Sequence, residues 1–352
     1  MRKIFVIALL FLSAAFASSC SNPSSAYTGQ DFRNAVWKPD GSGIVSLFER
    51  YDASSTTAPG VYTFGLFNPD GSIASTVSTS DSWANPVFPA YFYVSQDGRT
   101  AIVQLGVANP NANLVAVDLT SGNQRLIASK VNLLGCSPDL KYAIVSPSPL
   151  GTQPIIKISV LNISGSQAYE VKNFDLANVF TNAGALWLTN GEFAITVTGS
   201  PWQIDIFDTT GKIVDSIPNG ELLFRQGNFI AQTNDFYYIN PNAGGTNVGG
   251  IDRYNIVSKQ PPTHIYANSD GVTDFDVSSD GTLIAMVTST PTSSSSNSLW
   301  ALNTATGHRN LITGDLVWGA FLSPNAQKVA YVHQQSGNTN FDEILVSPIA
   351  KP

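Results

Sequence analysis

The sequence predicts an all-β protein assembled from one repeated four-stranded unit, and three observations carry that reading. Of its 352 residues, 43% are hydrophobic and only 12% charged, with 28 glycines and 20 prolines. That composition suits short strands joined by many turns. A short apolar run, an Asx-containing turn and a second apolar run then recur seven times along the chain. A second kind of Asx turn is interleaved with the first at the same period.

The first landmark is clearest in VSSDGTLIAMV, residues 277–287, where Asp280-Gly281 predicts a two-residue hairpin with positive φ. Its relatives are centred on Asp40, Asp97, Asp139, Asn190, Asn234 and Asn325. The second landmark is found in LFNPDGS at Gly71, VDLTSGN at Gly122, LNISGSQ at Gly165, FDTTGKI at Gly211 and LNTATGH at Gly307. YNIVSKQ, at Ser258, is a copy without the glycine. Two hairpins in a little under about fifty residues make one unit, a length that matches the blade of a β-propeller.

The strands after the first turn are continuous apolar runs, such as GIVSLF, TAIVQL and LIAMV. A half-exposed strand would alternate with period two, so continuous runs imply burial on both faces. Blades stacked face to face around a ring meet that requirement, whereas a β-sandwich of hairpins needs no fixed period. The expectation is a seven-bladed β-propeller of four-stranded antiparallel blades, with six blades as the alternative count. SPD, PDG, SQDG and SSDG followed by an apolar strand resemble the WD-like repeats of the TolB type, also present in the propellers of prolyl oligopeptidases. That resemblance implies a blade and not a function.

The first twenty residues, MRKIFVIALLFLSAAFASSC, have basic Arg2 and Lys3, an apolar stretch from Ile4 to Phe16 and a small, polar end. This is the pattern of a secretory signal. Ala17-Ser18-Ser19-Cys20 resembles a bacterial lipobox, although Ala17 stands where that pattern prefers Leu. The resemblance implies acylation of Cys20 and, because Ser21 and not Asp follows it, an outer-membrane destination in a Gram-negative host. The alternative is cleavage after Ala17, leaving Cys20 as a thiol. The expected organisation is a lipoprotein signal peptide at 1–19, an acylated cysteine with a short tether or closing strand at 20–30, and the propeller at 31–352. The last unit supplies three strands, so SSAYTGQDF at 24–32 is expected to pair beside 342–347 and complete it. Cys136, the other cysteine, is expected to be a small core residue.

The net charge of −7 offers nothing to nucleic acid or to an anionic lipid surface, so the membrane is reached through the lipid alone. There is no G-x-S-x-G elbow, H-E-x-x-H, paired CxxC or phosphate-binding loop. His264, His308 and His333 fall on different parts of their units, so no catalytic residue is assigned and no cofactor or metal is expected. Asp270, Asp274, Asp276 and Asp280 are spaced like oxygen donors for a cation, but the hairpin and strand alternation are expected to separate them.

Binding is expected on the face that carries the connections from second to third strand and from blade to blade, which differ in length and composition. These include 51–60, 106–113, 146–154, 240–250 and the Ser-rich 289–298. Trp37, Trp187, Trp202, Trp300 and Trp318 are expected mainly to fill the core. Trp83, placed in a connection between blades, is the candidate exposed anchor. The functional expectation is a lipid-anchored envelope module that binds a protein, peptide or glycan. The alternative is a propeller lyase or hydrolase with a pocket at the channel mouth.

Overall fold

The computed structural model describes residues 29–350 except 52–59, 84–91, 106–111, 148–154, 178–183, 198–202, 223–226, 244–248 and 335–341, and except 166, 189–190, 221, 291–292 and 315. The described strands form seven antiparallel sheets, each taken from consecutive residues and each ordered as in the sequence. Together they make a seven-bladed β-propeller. Among the described residues no helix is long and apolar enough to cross a membrane.

Blade 1 contains β1 (Gly29–Trp37), β2 (Ile44–Tyr51), β3 (Gly60–Phe67) and β4 (Ile73–Trp83). Blade 2 contains β5 (Phe92–Val94), β6 (Thr100–Leu105), β7 (Asn113–Asp118) and β8 (Gln124–Ser129). Blade 3 has β9 (Val131–Cys136), β10 (Tyr142–Pro147), β11 (Ile155–Asn162) and β12 (Tyr169–Ala177). Blade 4 has β13 (Ala185–Trp187), β14 (Glu192–Val197), β15 (Gln203–Asp208) and β16 (Ile213–Pro218). In blade 5 these are β17 (Gly227–Ile230), β18 (Asp235–Asn240), β19 (Gly250–Asn255) and β20 (Thr263–Tyr266). In blade 6 they are β21 (Gly271–Val277), β22 (Leu283–Thr290), β23 (Ser293–Asn303) and β24 (Arg309–Thr313). Blade 7 has three described strands, β25 (Val317–Leu322), β26 (Lys328–Gln334) and β27 (Asp342–Pro348).

The continuous apolar runs have the predicted cause. Successive side chains of a strand point to opposite faces, and each face of a blade meets a neighbour. Ala101, Val103 and Leu105 of β6 pack toward blade 1, while Ile102 packs toward blade 3. Likewise Val45 and Leu47 of β2 join the seam with blade 2, and Ile44 and Phe48 join the seam with blade 7. The buried side chains fall into seven clusters of this kind, one at every seam. Cys136 is buried in the seam between blades 2 and 3, as a small core residue.

The repeated Ser-x-Asp/Asn motif has a specific chemistry. Asp280 accepts from the Ser278 hydroxyl at 2.6 Å and from the Thr282 N–H at 3.0 Å, while Ser278 Oγ accepts the Leu283 N–H at 2.9 Å. The same bonds recur at Ser137–Asp139 and at Ser323–Asn325. The turn differs from the expected two-residue hairpin. Ser278 pairs with Leu283, Gly281 N–H bonds the Ser278 carbonyl, and only Gly281 takes positive φ, at 70°. Asp280 keeps an ordinary φ because its carboxylate must face back to Ser278. Where the glycine is missing, Leu140 and Ala326 adopt φ of 53° in its place.

Ring closure departs from the expectation in one respect. Gly29–Phe32 pairs with Phe48–Tyr51 and so extends the innermost strand of blade 1 rather than forming a ladder with β27. The segment does lie beside β27: Gln30 Nε2 donates to the Asp342 carbonyl and the Phe32 N–H donates to Asp342 Oδ2, both at 3.3 Å. Residues 24–28 lie outside the described residues. Most of the contact between blades 1 and 7 is apolar packing: Phe32, Trp37, Ile44 and Phe48 pack on Ala330, Val332 and Ile344. Trp37 Nε1 donates to the Phe321 carbonyl at 2.8 Å, and Lys328 Nζ donates to the Pro69 carbonyl at 3.1 Å.

A left-handed backbone costs an L-residue about 1–2 kcal/mol, and glycine gives back part of the relief as entropy in the unfolded chain. Ala326→Gly should therefore stabilise the protein by about 0.5–1 kcal/mol, seen as a higher urea midpoint at unchanged slope. An unchanged or lower midpoint would show that the Ala326 methyl packs well enough to offset the strain.

Candidate functional site

Turns between first and second strands span four to six residues in every blade, from 188–191 to 38–43. On the opposite face, connections between second and third strands range from two residues, 291–292, to nine, 241–249. One face is thus uniform and the other variable, as expected. The Ser-rich stretch behaves otherwise: β22 and β23 run to Thr290 and from Ser293, so 293–298 is strand, with Asn297 paired to Ser289. Trp83 is the last residue of β4, paired with Gly60, rather than part of the connection between blades. Cys20 and most of 51–60 lie outside the described residues, as does 244–248 within 240–250.

The innermost strands line the central channel, and three of them carry a bulge at one equivalent position. Register shifts between Phe32 and Asn34, Val272 and Asp274, and Val317 and Gly319 place Arg33, Thr273 and Trp318 at the bulges. Each is five residues before the first residue of its turn: Lys38, Ser278 and Ser323. Bulges re-aim side chains and often border functional sites. Thr273 is exposed, and Trp318 is 51% exposed on the innermost strand of blade 7. This corrects the core-filling expectation for Trp318. Trp37 and Trp187 are buried as expected, and Trp300 is partly buried with the Arg309 guanidinium 4.3 Å above its ring.

Beside these bulges Asp274 and Asp276 share one face of β21, two residues apart. Asp274 Oδ2 accepts the Ala320 N–H at 3.0 Å, and Asp276 Oδ2 accepts the Leu322 N–H at 2.7 Å, both on β25. Asp276 Oδ1 also accepts the Val277 N–H at 2.9 Å. Both side chains keep partial contact with solvent while protein encloses them on the remaining sides. That enclosure pushes Asp274 up to about 7, with the neighbouring Asp276 charge adding to it, and Asp276 up to about 6.

The four aspartates do not assemble as a cation site. Asp270 pairs with Arg309 at 2.6 Å and accepts from the Tyr266 hydroxyl at 2.8 Å. Asp280 stays in its turn. These two lie beyond opposite ends of β21, one before the strand and one in the turn after it, whereas Asp274 and Asp276 come together on one face, contrary to expectation. Among the described residues no group of three His, Cys, Asp or Glu could hold a metal. The histidines remain apart, as expected: His264 Nδ1 lies 2.6 Å from buried Asp252, His333 Nδ1 lies 3.1 Å from Glu343, and His308 follows a turn on the uniform face. The channel pair was missed because "DFD" reads as ordinary alternation until the strand of the next blade is known. The common offset of Trp318 and Thr273 from their turns was a usable signal.

No protein-family model matches the chain, and no curated protein sequence matches it. Solved structures do. The β-propeller domain of Cps50 (Swd1) from Myceliophteria thermophila is 10% identical with a TM-score of 0.63, covering 93% of this chain and 97% of that one. Oligogalacturonate lyase from Vibrio parahaemolyticus is 13% identical with a TM-score of 0.63, covering 93% and 92%. TolB from Acinetobacter baumannii is 16% identical with a TM-score of 0.50, covering 84% and 79%. At these identities the likeness is one of fold, and these propellers include both a TolB and an enzyme.

The turn carboxylates titrate in the opposite sense to the channel pair. Bonds from Ser278 and Thr282 hold Asp280 down, at about 2. A depressed folded pKa contributes stability present above the unfolded value near 4 and lost as pH falls toward 2. Asp280→Ala should cost about 1 kcal/mol at pH 7, and the cost should shrink on acidification to pH 2. A cost that stays constant with pH would assign the effect to packing.

Proposed function

We propose that this chain is a lipid-anchored cell-envelope propeller serving as a binding scaffold for an envelope protein, a peptide or a glycan. The observation that carries the reading is how the polar groups along the channel wall are engaged. Asp274 and Asp276 are tied to backbone N–H groups, and each described histidine–carboxylate pair stands alone in its blade. What remains available is one asymmetric face and an exposed Trp318. Such a ring presents shape, the attribute a binding module needs. The lipobox-like Ala17–Cys20 supports anchoring through an acylated Cys20.

A second reading, a propeller lyase or hydrolase, is favoured by the near-neutral titration of Asp274 and Asp276, which would suit acid–base chemistry. Oligogalacturonate lyase shares the fold. Turnover of oligogalacturonate that is abolished by Asp274→Asn would replace the scaffold reading.

Cys20→Ser should release the protein from membranes, and intact mass of the mature form should show a lipid-modified cysteine. An unmodified N-terminus at Ser18 sinks the anchor. Once crosslinking has captured a partner, Trp318→Ala and Trp83→Ala should each weaken its binding. The Trp318 change should shift stability by about 0.5 kcal/mol or less, as surface substitutions usually do. Crosslinks clustered on the turns at Asp97, Asp139 or Asp280 would place binding on the uniform face instead.

A further inference from the structure

The seam between blades 6 and 7 differs in kind from a purely apolar one. Leu283, Ala285 and Val287 of blade 6 pack on Val317, Ala320 and Val329 of blade 7, as at other seams. Across the innermost strands, however, the contact is polar: two carboxyl groups of β21 reach two N–H groups of β25. Ala320 and Leu322 are two apart, so their N–H groups lie on one edge of the strand, and the carboxyl groups match that spacing. A third link, from Asn297 Nδ2 to the Val317 carbonyl at 3.0 Å, carries no titratable group.

We propose that Asp274 and Asp276 form a proton-operated clasp between blades 6 and 7, closed in mild acid and loosened when both carboxyl groups ionise.

Among the described residues, no cation faces the pair from the strands packed against β21. β17, β22 and β25 contain no charged residue. The two on β19 have partners elsewhere: Asp252 with His264 and Asn240, and Arg253 with Tyr237. Ionising the second carboxyl group therefore places like charges two residues apart in a poorly hydrated wall. Enclosure raises both carboxyl groups above their unfolded values, so up to about pH 6 the folded ring favours protons that the unfolded chain releases above about pH 4. The seam's stability is thus fully present only below about pH 4, falls as pH rises from there, and is lost once pH has passed about 6 and 7. Blade 7 is the element that loosening would free. It has three described strands, and among the described residues its other seam is closed by packed side chains and single hydrogen bonds with no strand ladder.

The test is hydrogen exchange of the full-length protein at pH 5 and pH 8, corrected for the intrinsic effect of pH. Protection of Ala320 and Leu322 should be at least about tenfold greater at pH 5, the factor that one unit of pKa displacement supplies. Cys136 and its neighbours in β9 serve as the internal reference and should not change. The double variant Asp274→Asn, Asp276→Asn keeps acceptors without the charge and should hold β25 protected at both pH values. Equal protection of β25 at the two pH values in the wild type would overturn the clasp. So would an unaltered pH dependence in the double variant. Should that variant not fold, the wild-type comparison of β25 with β9 decides: a change confined to β25 supports the clasp, and a change shared with β9 refutes it.

Discussion

Everything in this molecule depends on one constraint: the middle strands of each blade have no face left for water. A strand alternates its side chains between two sides, and here both sides meet another blade. Ile102 and Val103 are neighbours in sequence yet sit in different cores, one against blade 3 and the other against blade 1. No blade can bury its own apolar surface, so each is stable only between two others. The ring satisfies that demand for all seven and leaves the polar work to the innermost strands, the turns and the outer rim.

Close approach at the channel wall follows from the same stacking. A Cβ on Gly135 would lie 2.2 Å from the Ala185 carbonyl of the next blade, so the innermost strands of blades 3 and 4 meet backbone to backbone only because that residue is glycine. Between blades 6 and 7 the space is filled differently, by carboxyl groups that reach across it. The two seams are thus closed by different chemistry, one by close backbone contact and the other by hydrogen bonds from backbone N–H groups to carboxyl groups.

The architecture was legible because its cause is local and repeated. Ser278, Asp280 and the run after them state a turn and a doubly buried strand, and the statement recurs at nearly constant spacing. What depended on the next blade was not legible. Nothing around Asp274 announces that its partner is Ala320, nearly a full repeat away, and nothing in VWGAF shows that Trp318 is turned outward by a bulge. The end of β4 was misplaced for a related reason: the polar stretch before Trp83 continues to pair with β3 although its composition suggests a loop. The conformation of the Asp-Gly turn escaped notice too, because the carboxylate's bond to Ser278, rather than dipeptide preference, sets its backbone.

The closure of the ring through Trp37, Phe48 and Phe32 rather than a shared described strand has a mechanical meaning. The described chain enters at blade 1 and leaves at blade 7, so tension applied to its two ends falls directly on the seam where they meet. Side chains packed against one another part more readily under such a load than a ladder of backbone bonds sheared along its length. Once that seam parted, the remaining blades would stay joined in a row, and the circle would become an open arc able to shut again on release.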